Sequence, residues 1–188
     1  MTTGETDMGQ ETFREITPAE MTDNPFTAFG KEWALLTAGK GKKSNMMTIA
    51  WGALGVLWHR EVCFVFVRPP RHTYRFTEAE SCFSVGFFPE RYRDVLQLCG
   101  SISGAKEDKI AASKLTLLEA DGCPYFAESR LTLICRKISF LDIDPHTFLD
   151  ATIGENYPKK DYHRMYVGEI AKVLVRDDAT GDTAPSKS

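Results

Sequence analysis

Two arginines and a threonine lie around the predicted start of a helix in the first half of the chain. Residues 68–74 have the sequence RPPRHTY, and the two prolines end the preceding strand and preset the backbone for a helix that begins near Arg71. A helix start offers unpaired N–H groups and partial positive charge, and an arginine can donate two parallel hydrogen bonds. Arg68, Arg71 and Thr73 are therefore predicted to bind one phosphate dianion.

A short apolar stretch before these arginines carries side chains that suit a flat ligand. Asn45, Thr48 and Trp51 supply an amide, a hydroxyl and a ring, which a heteroaromatic ligand with several acceptors along its edge would need. Positions 45, 47 and 51 are predicted to share one strand face. From the residues alone a second interpretation stays open, with Trp51 as a core aromatic, Asn45 as a turn residue and the arginines as a solvated rim.

The elements that must position these residues are mostly strands. Residues 47–51 and 62–67 are apolar runs separated by the polar break His59-Arg60-Glu61, which predicts a hairpin. Further strands are predicted at 33–38, 82–88, 131–140 and 165–176, and short helices at 73–80, 90–99 and around 108–114. About six strands with few helices between them favour a small β-barrel with helical insertions. The irregular residues 100–129 are predicted to form a long excursion of the kind that often serves as a lid.

Composition limits the function classes. At 188 residues and 43% hydrophobic, the chain is long enough for one domain with a core, and a net charge of −3 with a pI near 5.8 argues against a nucleic-acid partner. The polar ends of the chain predict mobile tails at residues 1–23 and 177–188. The first residues lack an apolar signal segment, and no run of about 18 apolar residues predicts a membrane span.

The cysteines and histidines suggest neither a disulfide framework nor a metal site. Five cysteines, an odd number without C-x-x-C spacing, indicate free thiols in a reducing cytoplasm. The four histidines show no pairing at metal-ligand spacing, so no metal is predicted. Neither a P-loop nor a G-x-G-x-x-G motif is present, so a nicotinamide cofactor would be a transient substrate held without a Rossmann unit.

Several segments in one order resemble the flavin reductase-like family, in its flavoredoxin branch of FMN-binding split barrels. The family pattern N-x-M-T-x-x-W matches residues 45–51, R-P-x-R-x-T-Y matches 68–74, and S-G-x-x-x-D-K matches 103–109. Residues 24–39 are similar to the family's opening strand and residues 157–170 to its closing segment. The resemblance covers about residues 24–175.

The resemblance implies a mainly β fold, a six-stranded antiparallel split β-barrel of Greek-key type with short helical insertions, over residues 24–176. It also implies a homodimer with FMN in a groove near the subunit interface, and NADH or NADPH as a possible electron donor. His163 is a candidate catalytic residue that protonates or positions a substrate, although a structural role is the alternative. The residues expected to bind FMN are Asn45, Met47, Thr48, Trp51, Arg68, Arg71, Thr73, Tyr74, Ser103, Gly104 and Lys109.

Three functions follow as alternatives. The first is an FMN-binding flavin oxidoreductase of the NAD(P)H:flavin oxidoreductase type, which passes electrons from a reduced nicotinamide or a protein donor to a further acceptor. The second is a non-catalytic electron carrier that shuttles electrons between protein partners through FMN. The third is a barrel that has lost flavin and serves as a dimeric scaffold or binds another small molecule.

Overall fold

A computed structural model describes residues 13–176, and within that range the chain is mainly β with short helices. Eight strands form one antiparallel sheet in the order β3-β2-β6-β9-β10-β5-β4, with β1 added on β10, and β7 pairs with β8 in a separate hairpin. The predicted fold class is confirmed, although the strand number was too low. The strands are β1 Phe13–Ile16, β2 Ala34–Lys40, β3 Lys43–Ile49, β4 Gly52–Leu57, β5 Arg60–Val67, β6 Cys82–Phe87, β7 Leu117–Ala120, β8 Cys123–Phe126, β9 Leu131–Asp142 and β10 Arg164–Arg176.

The helices are short and lie between strands. A three-residue α1, Pro25–Thr27, runs into a π-helical turn, Ala28–Glu32, before β2. The others are α2 Tyr74–Ala79, α3 Arg93–Ser101 and α4 Lys109–Ser113, with 3₁₀ turns at Pro18–Glu20, Glu90–Tyr92, Pro145–Thr147 and Ala151–Asn156. Within residues 13–176, no helix combines the length and apolarity needed to cross a bilayer.

The core lies inside the curled sheet and follows from strand alternation. On β6, Phe83, Val85 and Phe87 are fully buried against the main core, while Ser84 points the other way and donates a hydrogen bond to the Pro124 carbonyl at 2.6 Å. Successive side chains on a strand face opposite sides, so one strand serves two layers. The β7–β8 hairpin covers the outer face of β6.

The break in the sheet lies between β3 and β4. These strands stand at opposite ends of the sheet order, yet only Ala50 and Trp51 separate them in sequence. The chain therefore passes from one end of the sheet to the other within two residues. This connection is where the candidate site forms.

The predicted hairpin forms with a different partner strand. β4 pairs with β5 through a turn at Trp58 and His59, whose φ angles of 54° and 58° are those of a type I′ turn. The predicted strand 47–51 was wrong in its end and its partner, because β3 stops at Ile49 and pairs with β2. β4 was not predicted as a strand, because its two glycines and its exposed side chains weaken the alternation of apolar and polar residues.

The N-terminal boundary lies earlier than predicted. β1 pairs with the last residues of β10, with Phe13 opposite Arg176 and Ile16 opposite Val173. The prediction of a mobile tail over 1–23 was therefore wrong from Phe13 onward, because two apolar residues in a polar stretch are enough to complete an edge strand. The tails predicted at 1–12 and 177–188 lie outside the described residues.

Candidate functional site

A cavity of about 430 Å³ lies beside β3, and its lining is strongly cationic. Four cations, Arg68, Arg71, Lys109 and Lys159, face it with one carboxylate, Asp161. This concentration of positive charge stands out in a chain whose net charge is −3. A small anion with more than one negative charge is the ligand class that this cationic chamber would favour.

Two of these cations are held close together without a carboxylate between them. Lys109 is 6% exposed, and its Nζ donates a hydrogen bond of 2.6 Å to the Cys99 carbonyl in the last turn of α3. Burial lowers the pKa of Lys109, and the charge of nearby Arg71 lowers it further. The exposed Arg71 side chain forms no hydrogen bond or ion pair with another residue of the described range 13–176. An anion bound here would relieve the repulsion between the two charges.

A wall of three packed residues closes one side of the cationic chamber. Asn45 is buried, and its Nδ2 donates to the Thr73 Oγ1 at 2.8 Å. Because the Thr73 oxygen accepts this bond, its hydroxyl hydrogen remains for a ligand. A Cβ on Gly104 would lie 2.3 Å from the Asn45 Oδ1 and 3.0 Å from the His72 Cδ2. Only glycine lets the loop after α3 approach this closely.

A second cavity, of about 300 Å³, continues from the first toward the break in the sheet. It is lined by residues 47–51, Phe66 and His163, and the two cavities share Met47, Thr48, Arg68 and Arg71. The Trp51 ring is 45% exposed, and its centroid lies 4.9 Å from that of His163. A charged chamber thus adjoins an aromatic chamber.

Thr48 is tied to the protein by its hydroxyl. The Oγ1 donates to the Leu96 carbonyl of α3, and a Cβ on Gly100 would sit 3.4 Å from the Thr48 Cβ. The hydroxyl hydrogen is used in this bond, so Thr48 can accept a hydrogen bond from a ligand N–H. It also fixes α3 against β3, which positions the loop 100–104.

His163 is a neutral, nearly buried imidazole in the aromatic chamber. It is 9% exposed, and its Nδ1 lies 2.9 Å from the Tyr157 hydroxyl. Burial, together with the nearby charge of Arg68, lowers the pKa of His163 to about 4, while Asp161 opposes the shift. When Tyr157 donates to Nδ1, the Nε2 carries the ring hydrogen and can donate. His163 therefore offers a hydrogen bond without a positive charge at neutral pH.

Arg68 lines both chambers, and its guanidinium is held in place by contacts with residues 156–161. Its Nη1 lies 3.2 Å from Asp161 Oδ2, its Nη2 donates to the Asn156 carbonyl at 2.8 Å, and the guanidinium stacks over Tyr157 at 5.2 Å. Asp161 neutralises much of this charge. Arg71 and Lys109 therefore carry most of the uncompensated charge in the cationic chamber.

The structure brings most of the predicted site residues to these chambers. Met47, Thr48, Trp51, Arg68, Arg71, Thr73, Ser103, Gly104, Lys109 and His163 line one or both of them. Asn45 lies behind Thr73 and acts on the cationic chamber through it.

Two of the predicted placements need correction. Tyr74 lines neither chamber: it packs against Tyr166, with the Arg164 guanidinium 5.5 Å over its ring. Consecutive helical residues turn by about 100°, so Thr73 and Tyr74 face different sides. Trp51 was expected on a strand face with Asn45, but it follows the end of β3 and stands in the break of the sheet.

Several site residues were missed by the sequence analysis. Gly100 lies in the irregular, glycine-rich stretch and Lys159 in the charged closing segment, both of which the sequence had already indicated. The glycine and the lysine could therefore have been proposed as site residues. Tyr157, the partner of His163, also lies in that closing segment. The missed residues are Ile49, Ala50, Phe66, Pro70, His72, Cys99, Gly100, Ser101, Ile102, Tyr157, Lys159 and Asp161.

Comparisons with known proteins identify a family and solved structures of the same fold. A family described as the flavin reductase like domain matches residues 26–184. Flavoredoxin from Methanosarcina acetivorans is 23% identical with a TM-score of 0.62 over 78% of this chain and 69% of that one. Flavoredoxin from Desulfovibrio vulgaris (Miyazaki F) is 20% identical with a TM-score of 0.62 over 88% and 78% of the two chains.

A third solved structure is the FMN-binding domain of a flavin reductases-like enzyme from Shewanella baltica OS155. It is 17% identical with a TM-score of 0.62 over 87% of this chain and 77% of that one. At these identities the structural likeness shows the fold alone. The search of curated proteins gives no match.

Proposed function

This chain belongs to the flavin reductase-like domain family, and from that premise we propose that it is an FMN-binding flavin oxidoreductase. The observation that carries the proposal is the pair of adjoining chambers, one cationic and one aromatic, which share Met47, Thr48, Arg68 and Arg71. FMN combines a phosphate dianion with a flat ring system of several edge acceptors. The two chambers match the two parts of this molecule.

The residues of the cationic chamber fit a monophosphate. Arg71 and Lys109 would hold the dianion, and the Thr73 hydroxyl would donate to it from its fixed position on Asn45. A buried phosphate needs such fixed cations and donors. The proposal therefore assigns this chamber to the phosphate and the aromatic chamber to the ring.

When bound, FMN would supply hydride and electron transfer, for which no side chain is suited. Trp51, Phe66, Met47 and Thr48 line the aromatic chamber, and the rings of Trp51 and Phe66 would shield a bound ring from water. Neutral His163, held by Tyr157, is placed to donate a hydrogen bond there. We assign it the role of positioning a substrate or holding a proton at Nε2.

The electron donor in this proposal is a reduced nicotinamide, NADH or NADPH, or a protein. An electron carrier without a nicotinamide site is the second candidate. Phe26 and Trp51, which are 87% and 45% exposed, line an apolar groove that adjoins the aromatic chamber. Such an entrance suits a protein partner, and two of the similar structures are named flavoredoxin.

The proposal also includes a homodimer that works in the cytoplasm. Val56 and Trp58 leave further apolar surface exposed on the β4–β5 hairpin, at 74% and 59%, and the five thiols are unpaired in the structure. Sedimentation equilibrium of the purified protein measures the oligomeric state directly. A monomer at micromolar concentration would remove the dimer from the proposal.

The binding experiment compares FMN with riboflavin, which has the same ring and no phosphate. Quenching of flavin fluorescence gives both dissociation constants for wild type and Arg71→Ala. A hydrogen bond to a charged group contributes about 1.5–3 kcal/mol, so the FMN dissociation constant should rise about tenfold to a hundredfold. The riboflavin constant should change far less, because the charge of Arg71 acts mainly on the phosphate.

Arg60→Ala is the matched control. Arg60 is an exposed arginine in an ion pair with Glu169, at the opposite end of β5 from Arg68. Eight residues of strand separate the two arginines by roughly 26 Å. If Arg60→Ala and Arg71→Ala weaken FMN binding equally, the effect comes from the net charge of the protein and not from the site. If the wild type does not bind FMN, the assignment of FMN as the cofactor is wrong.

Steady-state oxidation of NADH and NADPH with free flavin separates the two candidates. The oxidoreductase should turn over at least one of these donors, while a carrier should oxidise neither and still bind FMN. His163→Gln should lower the turnover of a working enzyme more than it lowers FMN affinity, because His163 lies in the aromatic chamber, away from the phosphate end.

A further inference from the structure

Two cysteines outside the two chambers lie close together where the β7–β8 hairpin packs on β6. The Cys82 thiol on β6 donates to the Gly122 carbonyl at 3.7 Å, and the Ser84 hydroxyl donates to the Pro124 carbonyl at 2.6 Å. Both contacts join residues 40 positions apart, so β6 and β8 run alongside each other in constant register. Cys82 therefore lies against the peptide that leads into Cys123.

The two thiols differ in access and in acidity. Cys82 is partly exposed, whereas Cys123 is fully buried in a small apolar cluster against which Cys82 packs. A hydrogen bond from the Cys123 thiol lowers the pKa of Cys82, although burial, Glu80 and Glu119 oppose this, and Lys40 favours it. The same hydrogen bond and burial raise the pKa of Cys123. Cys82 is thus the accessible nucleophile, and Cys123 remains a protonated thiol beside it.

The other cysteines lack this combination. Cys63 and Cys135 approach each other across β10, where Gly168 pairs with Cys63 and a Cβ on Gly168 would lie 2.7 Å from the Cys135 Cβ. Both are 0% exposed, which shields them from a dissolved oxidant. Cys99 has no cysteine partner among the described residues, and burial raises its pKa to about 11.

We propose that Cys82 and Cys123 form a hydroperoxide-reactive thiol pair, with Cys82 as the attacking sulfur and Cys123 as the resolving one. A partly accessible thiol with a lowered pKa next to a second cysteine is the arrangement found in redox-sensing cysteines. This site stands apart from the FMN groove and does not depend on it.

The chemistry needs hydrogen peroxide as its only oxidant. The Cys82 thiolate attacks one peroxide oxygen, an S–O bond forms, the O–O bond breaks, and hydroxide leaves, which gives a sulfenic acid. The Cys123 thiol then attacks that sulfur, an S–S bond forms, the S–O bond breaks, and water leaves. Two thiols lose two electrons and two protons in total, and the peroxide becomes two waters.

Trypsin separates the five cysteines, so the bond can be located. Cys82 lies in the peptide 76–91 and Cys123 in the peptide 115–130, and neither peptide contains a second cysteine. The reduced full-length protein is treated with hydrogen peroxide, alkylated under denaturing conditions, digested and measured by mass spectrometry. The expected product is a disulfide between these two peptides, with the number of alkylated thiols falling from five to three.

Three variants assign the roles of the thiols. Cys82→Ser should abolish the cross-link and leave all four remaining thiols open to alkylation. Cys123→Ala should stop the reaction at a sulfenic acid on Cys82, which dimedone traps. Cys99→Ser, which removes a cysteine outside the pair, should cross-link like wild type. Circular dichroism of each variant establishes that it is folded.

The outcomes that overturn the proposal are equally specific. Retention of all five thiols after peroxide treatment would remove the site. A cross-link between Cys63 and Cys135 in place of the one between Cys82 and Cys123 would assign the peroxide reactivity to the buried pair and overturn the proposal. Equal dimedone labelling of Cys82 in wild type and in Cys123→Ala would show that Cys123 does not resolve the sulfenic acid.

Discussion

Gly104→Ala tests how the wall of the cationic chamber is built. The new methyl group would lie 2.3 Å from the Asn45 Oδ1 and 2.9 Å from its Cγ, distances that atoms do not tolerate. The Asn45 side chain is buried, so it has to turn away and break its 2.8 Å bond to Thr73. The perturbation thus acts on Thr73 through Asn45.

The magnitude follows from two opposing contributions. A buried polar group that loses its partner costs about 1–3 kcal/mol, while alanine stabilises by about 0.4–1 kcal/mol through the unfolded chain. Gly104→Ala should therefore lower the free energy of unfolding by about 1–2 kcal/mol. For a domain of this size the Tm falls by about 2–4 °C per kcal/mol. The FMN dissociation constant should rise about tenfold because the Thr73 hydroxyl is displaced.

The assay is thermal unfolding together with flavin titration, with Gly55→Ala as the matched control. Gly55 is an exposed strand residue on β4, and a Cβ there would have no atom within 4 Å. It should leave both the Tm and the FMN affinity close to wild type. A double-mutant cycle completes the test. In an Asn45→Ala background the clash with Asn45 is gone and only the 3.0 Å contact with the His72 Cδ2 remains, so Gly104→Ala should cost much less.

Two results would refute this reasoning. If Gly104→Ala is as stable as Gly55→Ala and keeps wild-type FMN affinity, the loop moves freely away from Asn45. If the cost of Gly104→Ala is the same with and without the Asn45 side chain, the strain lies elsewhere in the loop.

Two further predictions concern His163 and Gly168. Because the pKa of His163 is lowered from 6.5 to about 4 on folding, the folded state binds fewer protons, and stability should be lost as the pH falls from about 6.5 to about 4. The loss is about 3 kcal/mol at most and less after solvent screening. Urea unfolding at pH 7 and at pH 4.5 measures it: the free energy of unfolding should change less between the two pH values in His163→Gln than in wild type. An equal change in the two proteins would contradict the assignment to His163. Gly168→Ala puts a methyl group 2.5 Å from the Phe83 Cζ and should cost about 1–3 kcal/mol of unfolding free energy by overpacking. A Tm equal to that of Gly55→Ala would show that the core adapts.

Much of the fold was predictable from apolar runs, and the errors have common physical causes. β6 has strict alternation in an apolar context, and it was placed within one residue of its observed end. β1 and the β7–β8 hairpin were missed because each strand is only four residues long and gains its stability from neighbours distant in sequence. Such pairing does not appear in local periodicity.

Site residues were predictable where the ligand requires one type of side chain, such as a cation for a phosphate. They were less predictable where the role of a residue depends on its position in the fold. Arg71 and Lys109 could be identified as cations in matching motifs. Asn45 was identified as a direct ligand, yet its role through Thr73 depends on a contact between residues 28 positions apart. Tyr74 was misplaced because a rotation of one helical residue decides which side it faces.

The pairing of Phe13 with Arg176 has a consequence for the order of the chain. Residues opposite each other on antiparallel strands have Cα atoms about 5 Å apart, so a few linker residues in place of 1–12 and 177–188 would join the two ends. New ends could be opened at Trp58 and His59, where both residues adopt left-handed backbone conformations. Such a circular permutant would keep every residue of the two chambers in its place while starting at β5 and finishing at β4, so sequential connectivity could be varied independently of the site.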